Sequence, residues 1–216
     1  MIQLKLNSKP GSPLRVLCLG SHSDDIEIGC GGTILRLVAE SPGCVFHWVV
    51  FSACGVRGPE ARRGAELFTK GAVLEGPAIK EFRDGFLPFV GADVKSVFEE
   101  LKAVSPDVVF THYRKDAHQD HRLLSELAWN TFRNHLILEY EIPKYDGDMG
   151  QPNVFAPLDT TVCHSKARHI VEVFESQRSK PWFEESTFLS LMRLRGMECN
   201  APSGYAEAFY CRKLVL

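Results

Sequence analysis

The hydrophobic pattern of the chain alternates between short unbroken apolar runs and longer stretches with helical spacing. Residues 14–20 (LRVLCLG) and 44–52 (CVFHWVVFS) are continuous runs of strand length, the pattern of strands buried on both faces. Residues 106–112 (PDVVFTH) and 136–142 (LILEYEI) repeat it, and a shorter strand is predicted near Val73. Between these runs, residues 31–40, 59–72, 93–104 and 119–134 carry helical patterns, the second with a proline in its first turn. Residues 143–153 (PKYDGDMGQPN) are rich in Pro, Gly and Asp and predict a loop. Helices over 164–175 and 186–198 and a closing strand over 207–216 complete the reading. The βαβα order predicts an α/β fold, a Rossmann-like sandwich whose mainly parallel sheet has helices on both faces. No repeat, low-complexity tract or linker divides residues 1–216, so a single domain is expected.

Composition narrows the chemistry. The 216 residues carry a formal net charge of −2 and no dense Lys/Arg block, which argues against nucleic acid as a partner. There is no apolar run long enough to span a membrane. The opening segment, MIQLKLNSKPGSPLRV, has neither an apolar core nor a cleavage site, so a cytoplasmic location is expected. The seven cysteines are odd in number and form no CxxC pair. They read as small buried residues rather than disulfides or a cysteine zinc cage.

Two charged clusters follow strands. SHSDDIEIGCGGT (21–33) comes after the first, and THYRKDAHQDHR (111–122) comes out of a later one. Sheets of this kind bind ligands at the carboxyl ends of their strands, so the clusters can meet in space. A phosphate site would need GxGxxG or GxxxxGK[ST] at this point; neither is present, and Asp24 and Asp25 would repel a phosphate. A metal fits better. His22 and Asp25 lie three apart, as do His118 and His121, and imidazole with carboxylate is a ligand set for zinc. Asp24 would then stand free to take a proton from water. The plain alternative is that Asp24 or Asp25 only caps a helix. Spacing alone does not choose between His118 and His121 as a ligand.

The same residues carry a resemblance. HSDDIEIGCGGT is similar to the HPDDE-type signature of the PIG-L/LmbE-like zinc-dependent N-deacetylases, and DAHQDH resembles the second signature of that family. Weaker similarity runs through RGPEARRGA, FRDG, ESQ and GYAEAF. Ser23 departs from the usual proline, and Ile26 stands where an acid is usual, with Glu27 one place later. The resemblance implies that His22, Asp25 and His121 bind one Zn2+ per chain, although other divalent metals suit such a set. It implies Asp24 as general base, a protonated His118 stabilising the oxyanion and protonating the leaving amine, and Asp120 orienting and charge-stabilising His118. Arg57 and Asp84 match substrate-pocket positions. His112, ending a strand beside the site, is grouped with them, a buried partner of the site being the alternative.

Asp116 is read as loop structure and Gln177 as support from outside the site. Trp182 is read as packing that edges a pocket, and Tyr145 as a lid or oligomer contact. The implied activity is hydrolysis of an N-acetyl group on an amino sugar or a small molecule containing one, releasing acetate. The alternatives are cleavage of another amide in a sugar or thiol-sugar conjugate and, more remotely, a non-catalytic nucleotide-binding or scaffold role. The expected partner is a small N-acetylated sugar, and homo-oligomerisation is left open.

Overall fold

The unbroken apolar runs form the middle of one sheet. The structure, a computed structural model, describes residues 3–6, 11–41 and 43–215. Its strands are β1 (Arg15–His22), β2 (Val45–Ser52), β3 (Val73–Leu74), β4 (Ala78–Ile79), β5 (Val108–His112), β6 (Leu136–Tyr140), β7 (Val154–Pro157) and β8 (Ala206–Tyr210). Its helices are α1 (Asp25–Glu40), α2 (Arg57–Phe68), α3 (Gly91–Leu101), α4 (Gln119–Thr131), α5 (Thr160–Val173) and α6 (Glu185–Glu198). The strand order is β3-β2-β1-β5-β6-β8-β7, with β4 also pairing β2. All pairs from β3 to β6 are parallel, whereas β8 runs antiparallel to β6 and to β7.

Alternate residues of each central strand feed different apolar layers. Val16, Cys18, Phe46, Trp48 and Phe110 join residues of α1, α2 and α5 on one side. Leu17, Leu19, Val49, Phe51 and Val109 join residues of α3 and α4 on the other. Burial on both faces removes the polar alternation a half-exposed strand would show. Each large side chain so buried contributes about 1.5–3 kcal/mol relative to exposure.

Several boundaries differ from the sequence reading, two of them by six residues. The helix expected over 31–40 begins six residues earlier, at Asp25. Its glycines are interior residues admitting close neighbours: a Cβ on Gly29 would strike the Tyr140 ring, and one on Gly32 would strike Leu158 and Glu207. The closing strand ends at Tyr210, the last residue paired to β6; Leu216 lies outside the described residues. Strands β4 and β7, of two and four residues, are too short to show a pattern.

A buried ion pair fixes α1 to the far edge of the sheet. Glu207 of β8 accepts from the backbone amides of Gly32 and Thr33, both at 2.7 Å, and from the Thr33 hydroxyl at 2.6 Å. Lys166 of α5 lies 2.6 Å from Glu207 and donates to the Ile28 carbonyl at 2.7 Å. Such a pair survives burial because its hydrogen-bonding capacity is filled.

The chain leaves β1 towards β2 on one side, and β5 lies on the other. This reversal opens a crevice at the carboxyl ends of β1 and β5. Among the described residues, no helix is long and apolar enough to cross a membrane.

Candidate active site

His22 is the last residue of β1, and Asp25 is the first of α1. The turn between them aims both side chains into the crevice. Asp24 occupies the N-cap position but makes no side-chain cap bond, so its carboxylate remains available. From the other side, His118 caps α4, and His121 lies in its first turn.

Three donor atoms converge here. His22 Nδ1 lies 3.2 Å from Asp25 Oδ2 and 3.2 Å from His121 Nε2, and His121 Nε2 lies 3.5 Å from Asp25 Oδ2. A tetrahedron with bonds of about 2.0–2.1 Å has edges of about 3.3 Å, so this triangle is one face of a zinc-sized site. The far nitrogens fit as well. His121 Nδ1–H donates to Asp116 Oδ2 at 2.9 Å, and His22 Nε2 lies 3.0 Å from Asp84 Oδ1 and 3.5 Å from Asp120 Oδ2. Carboxylates in that position fix the tautomer and orientation of ligating imidazoles. The residues present therefore fit a divalent metal.

His118 and His112 also come within reach of the donor set. His118 Nδ1 is occupied, accepting the Asp120 amide at 3.2 Å, so its proton sits on Nε2. Burial, then the neighbouring His121 and His22, lower its pKa. The imidazolium expected at this position is accordingly revised to a neutral imidazole with one N–H to donate. His112 Nε2 accepts the Ser21 amide at 2.9 Å, which uses its lone pair. It is fully buried behind Asp25, with its pKa pushed down to about 4 by burial and by His121. The grouping of His112 with the substrate contacts is thus corrected: it is a neutral buried partner of the metal-type cluster.

The carboxylates divide the work. Burial raises the Asp25 carboxyl, but His121, His22 and His112 outweigh it and hold the pKa well below the ordinary range. Asp24 is shifted up, by burial and by Asp25 beside it, against the pull of Arg57. Arg57 ties this corner together. Its Nε donates to Ser23 Oγ at 2.9 Å, one terminal nitrogen lies 3.2 Å from Asp24 Oδ1, and the other 3.2 Å from Asp84 Oδ2. Ser23, where the family signature has proline, thus serves as an acceptor for Arg57. The His22 ring, 3.0 Å away, is the main cause of the lowered Asp84 pKa, about 2.

Asp120 does not orient the His118 ring as expected. At the start of α4 its carboxylate points back and accepts the amides of Gly85 at 2.8 Å and Leu87 at 3.1 Å. The carboxylate reaches His118 only through its charge, and it is the Asp120 backbone amide, donating to His118 Nδ1 at 3.2 Å, that holds the ring. Asp116, read from sequence as loop structure, is instead part of the cluster. Besides His121, it accepts the His118 amide at 2.7 Å and lies 2.9 Å from Lys144 Nζ. No spacing rule reveals that pairing, because Lys144 comes from the loop after β6. Gln177 lies outside the cleft and donates to Ser176 Oγ. Glu27 packs against α2 at Gly64 and does not line the cleft.

An α/β sandwich with a histidine–aspartate centre at its switch point defines the class of protein. The PIG-L family model, described as GlcNAc-PI de-N-acetylase, matches residues 17–132, and the chain belongs to that family. Among solved structures, a conserved protein from Thermus thermophilus aligns with a TM-score of 0.75 at 22% identity, covering 94% of this chain and 96% of that one. An N,N'-diacetylchitobiose deacetylase from Pyrococcus horikoshii gives 0.67 at 20% identity, covering 91% and 83%. A 4-carboxy-2-hydroxymuconate hydratase from Pseudomonas putida gives 0.72 at 19% identity, covering 94% and 98%. These likenesses are of fold, and the hydratase shows that the fold does not dictate the reaction.

Proposed function

We propose that this protein is a zinc-dependent hydrolase that removes the N-acetyl group from an amino sugar, or from a small molecule containing one, and releases acetate. The observation that carries the reading is the donor triangle of His22, Asp25 and His121, with Asp24 and His118 lining the same cleft. Membership of a family described as a de-N-acetylase supports it. A bound zinc ion supplies Lewis acidity and lowers the pKa of a water molecule.

The chain's own groups do the rest. Asp24, with its raised pKa, accepts the proton that the attacking water loses and passes it to the departing amine. Arg57 holds that carboxylate in place. The neutral His118 Nε2–H donates to the oxygen on which negative charge develops. The balance is one amide and one water consumed, one acetate and one amine formed.

The test is incubation of the zinc-loaded protein with N-acetylglucosamine, nucleotide-linked N-acetyl sugars and a thiol-sugar conjugate, with acetate and primary amine both quantified. Release of both in equal amounts is expected. Full metal occupancy with no acetate from any member of the panel overturns the proposal.

A further inference from the structure

One lysine of the cleft is tied to the donor set through a single oxygen. Lys144 follows β6, and its ammonium, on a side chain only 11% exposed, lies 2.9 Å from Asp116 Oδ2. That oxygen is the one that accepts His121 Nδ1–H, also at 2.9 Å. The ammonium donates as well to the two oxygens of Asp148, at 2.7 and 2.6 Å, and Asp148 Oδ2 accepts the Ala117 amide at 2.5 Å. Two carboxylates thus compete for one cation. A buried ion pair adds little to folding once desolvation is counted, so stability alone does not account for the arrangement. Little water separates these groups, so each charge is felt strongly by its neighbours.

A carboxylate on the outer nitrogen of a ligating imidazole makes the ring a stronger donor. An ammonium on the same oxygen draws charge away from that bond. The strength of His121 as a ligand is then set by how Lys144 divides between Asp116 and Asp148. We propose that Lys144 is a positioning residue that acts on His121 through Asp116 and weakens it as a donor, with Asp148 the counterweight that keeps the ammonium from committing fully to Asp116. The arrangement lowers metal affinity and keeps a bound ion electron-poor, the condition for polarising a carbonyl and activating water. This rests on the metal-dependent reading of the site.

The experiment measures the zinc Kd by chelator competition, at one ionic strength, in the wild type, Lys144→Met, Lys144→Arg, Asp148→Asn, Asp116→Asn and the double variant of Lys144→Met with Asp116→Asn. Removing the ammonium frees Asp116 for His121, so Lys144→Met is expected to bind zinc about tenfold more tightly, the scale of an outer-shell partner. Asp148→Asn turns the ammonium towards Asp116 and should loosen binding by a similar factor. Lys144→Arg keeps the charge and should stay near the wild-type value. In the Asp116→Asn background, Lys144→Met should tighten binding less than about threefold, because the residue that carries the effect is gone. A lysine that only held the loop together would give the opposite sign, with Lys144→Met loosening the metal. Looser or unchanged binding in Lys144→Met overturns the proposal, as does full tightening without Asp116. Should Lys144→Met fail to fold, Asp148→Asn decides, and unchanged or tighter binding there overturns it. A wild type that takes up no zinc overturns the metal-dependent reading itself, and the proposal with it.

Discussion

Asp116→Asn tests whether the outer carboxylate governs the proposed metal centre. In the wild type Asp116 Oδ1 accepts the His118 amide at 2.7 Å and Oδ2 accepts His121 Nδ1–H at 2.9 Å. Asparagine has the same shape but only one acceptor oxygen. If that oxygen stays on the His118 amide, an NH2 group faces the His121 N–H; if it turns, the α4 cap loses its partner. A hydrogen bond to a charged group contributes about 1.5–3 kcal/mol. Loss of outer-shell partners costs about 10–100-fold in metal affinity, which is about 1.4–2.7 kcal/mol, so the two scales agree. The zinc Kd, measured by chelator competition, should rise by that factor. At fixed excess zinc the stabilisation by the ion falls by the same free energy. For a chain of this size the gap in Tm between metal-loaded and metal-free protein then narrows by about 3–10 °C. A wild-type zinc affinity in Asp116→Asn would refute the reasoning, since the tautomer of His121 would then be set by something else.

Three further outcomes are expected. Asp24→Asn should keep its zinc but lose about 10²–10⁴-fold in kcat, because the amide cannot accept a proton; near-normal turnover would place the base elsewhere. His121→Ala should lose the metal by elemental analysis, whereas His118→Ala should retain it and lose about 10²–10³-fold in rate; the reverse pattern would exchange their roles. Glu27 is fully buried with neither oxygen partnered among the described residues, and burial, with Asp24 and Asp25, holds its pKa well above the ordinary value. Its folded pKa exceeds the unfolded value of about 4.3, so stability is fully present below that pH and is lost as pH rises towards the folded pKa. Glu27→Gln should therefore gain stability over the wild type in urea unfolding at pH 8 and match it near pH 4; a pH-independent difference would show that Glu27 does not titrate on unfolding.

How much of this was legible depends on whether the signal was local. The central strands were, because burial on both faces writes an unbroken apolar run. The start of α1 was not, because Gly29 and Gly32 look like a turn until Tyr140 and Glu207 are seen against them. The residues brought together in the donor triangle stand at short spacings around two strand ends, so they showed in the sequence. The difference between His118 and His121 did not, since it lies in the partner of each Nδ1: that of His118 accepts the Asp120 amide, whereas that of His121 faces the Asp116 carboxylate and leaves Nε2 towards His22 and Asp25. The roles of Asp116 and Lys144 were invisible for a related reason, because their contact joins two loops from different strands.

The scattered fragments of weaker similarity acquire a physical meaning when traced in space. RGPE and ESQ are far apart in sequence, yet Glu60 of the first accepts the amide and hydroxyl of Ser176 in the second, at 2.8 and 2.6 Å. Asp84 and Gly85 of FRDG meet Arg57 and Asp120, which couples the loop after β4 to both signatures. Glu207 of GYAEAF clamps Gly32 and Thr33 at the end of the GCGGT run. Each glycine inside α1 costs about 1 kcal/mol relative to alanine. The contacts they permit settle the helix against Tyr140 and Glu207, and the helix in turn sets the turn that carries Asp24 and Asp25. Tyr140 extends the chain of contacts, donating to the Leu19 carbonyl at 2.7 Å and lying 3.3 Å from His112 Nε2. The signature is therefore two devices written as one: acids and a histidine that line the candidate site, and glycines that let the helix carrying them pack close.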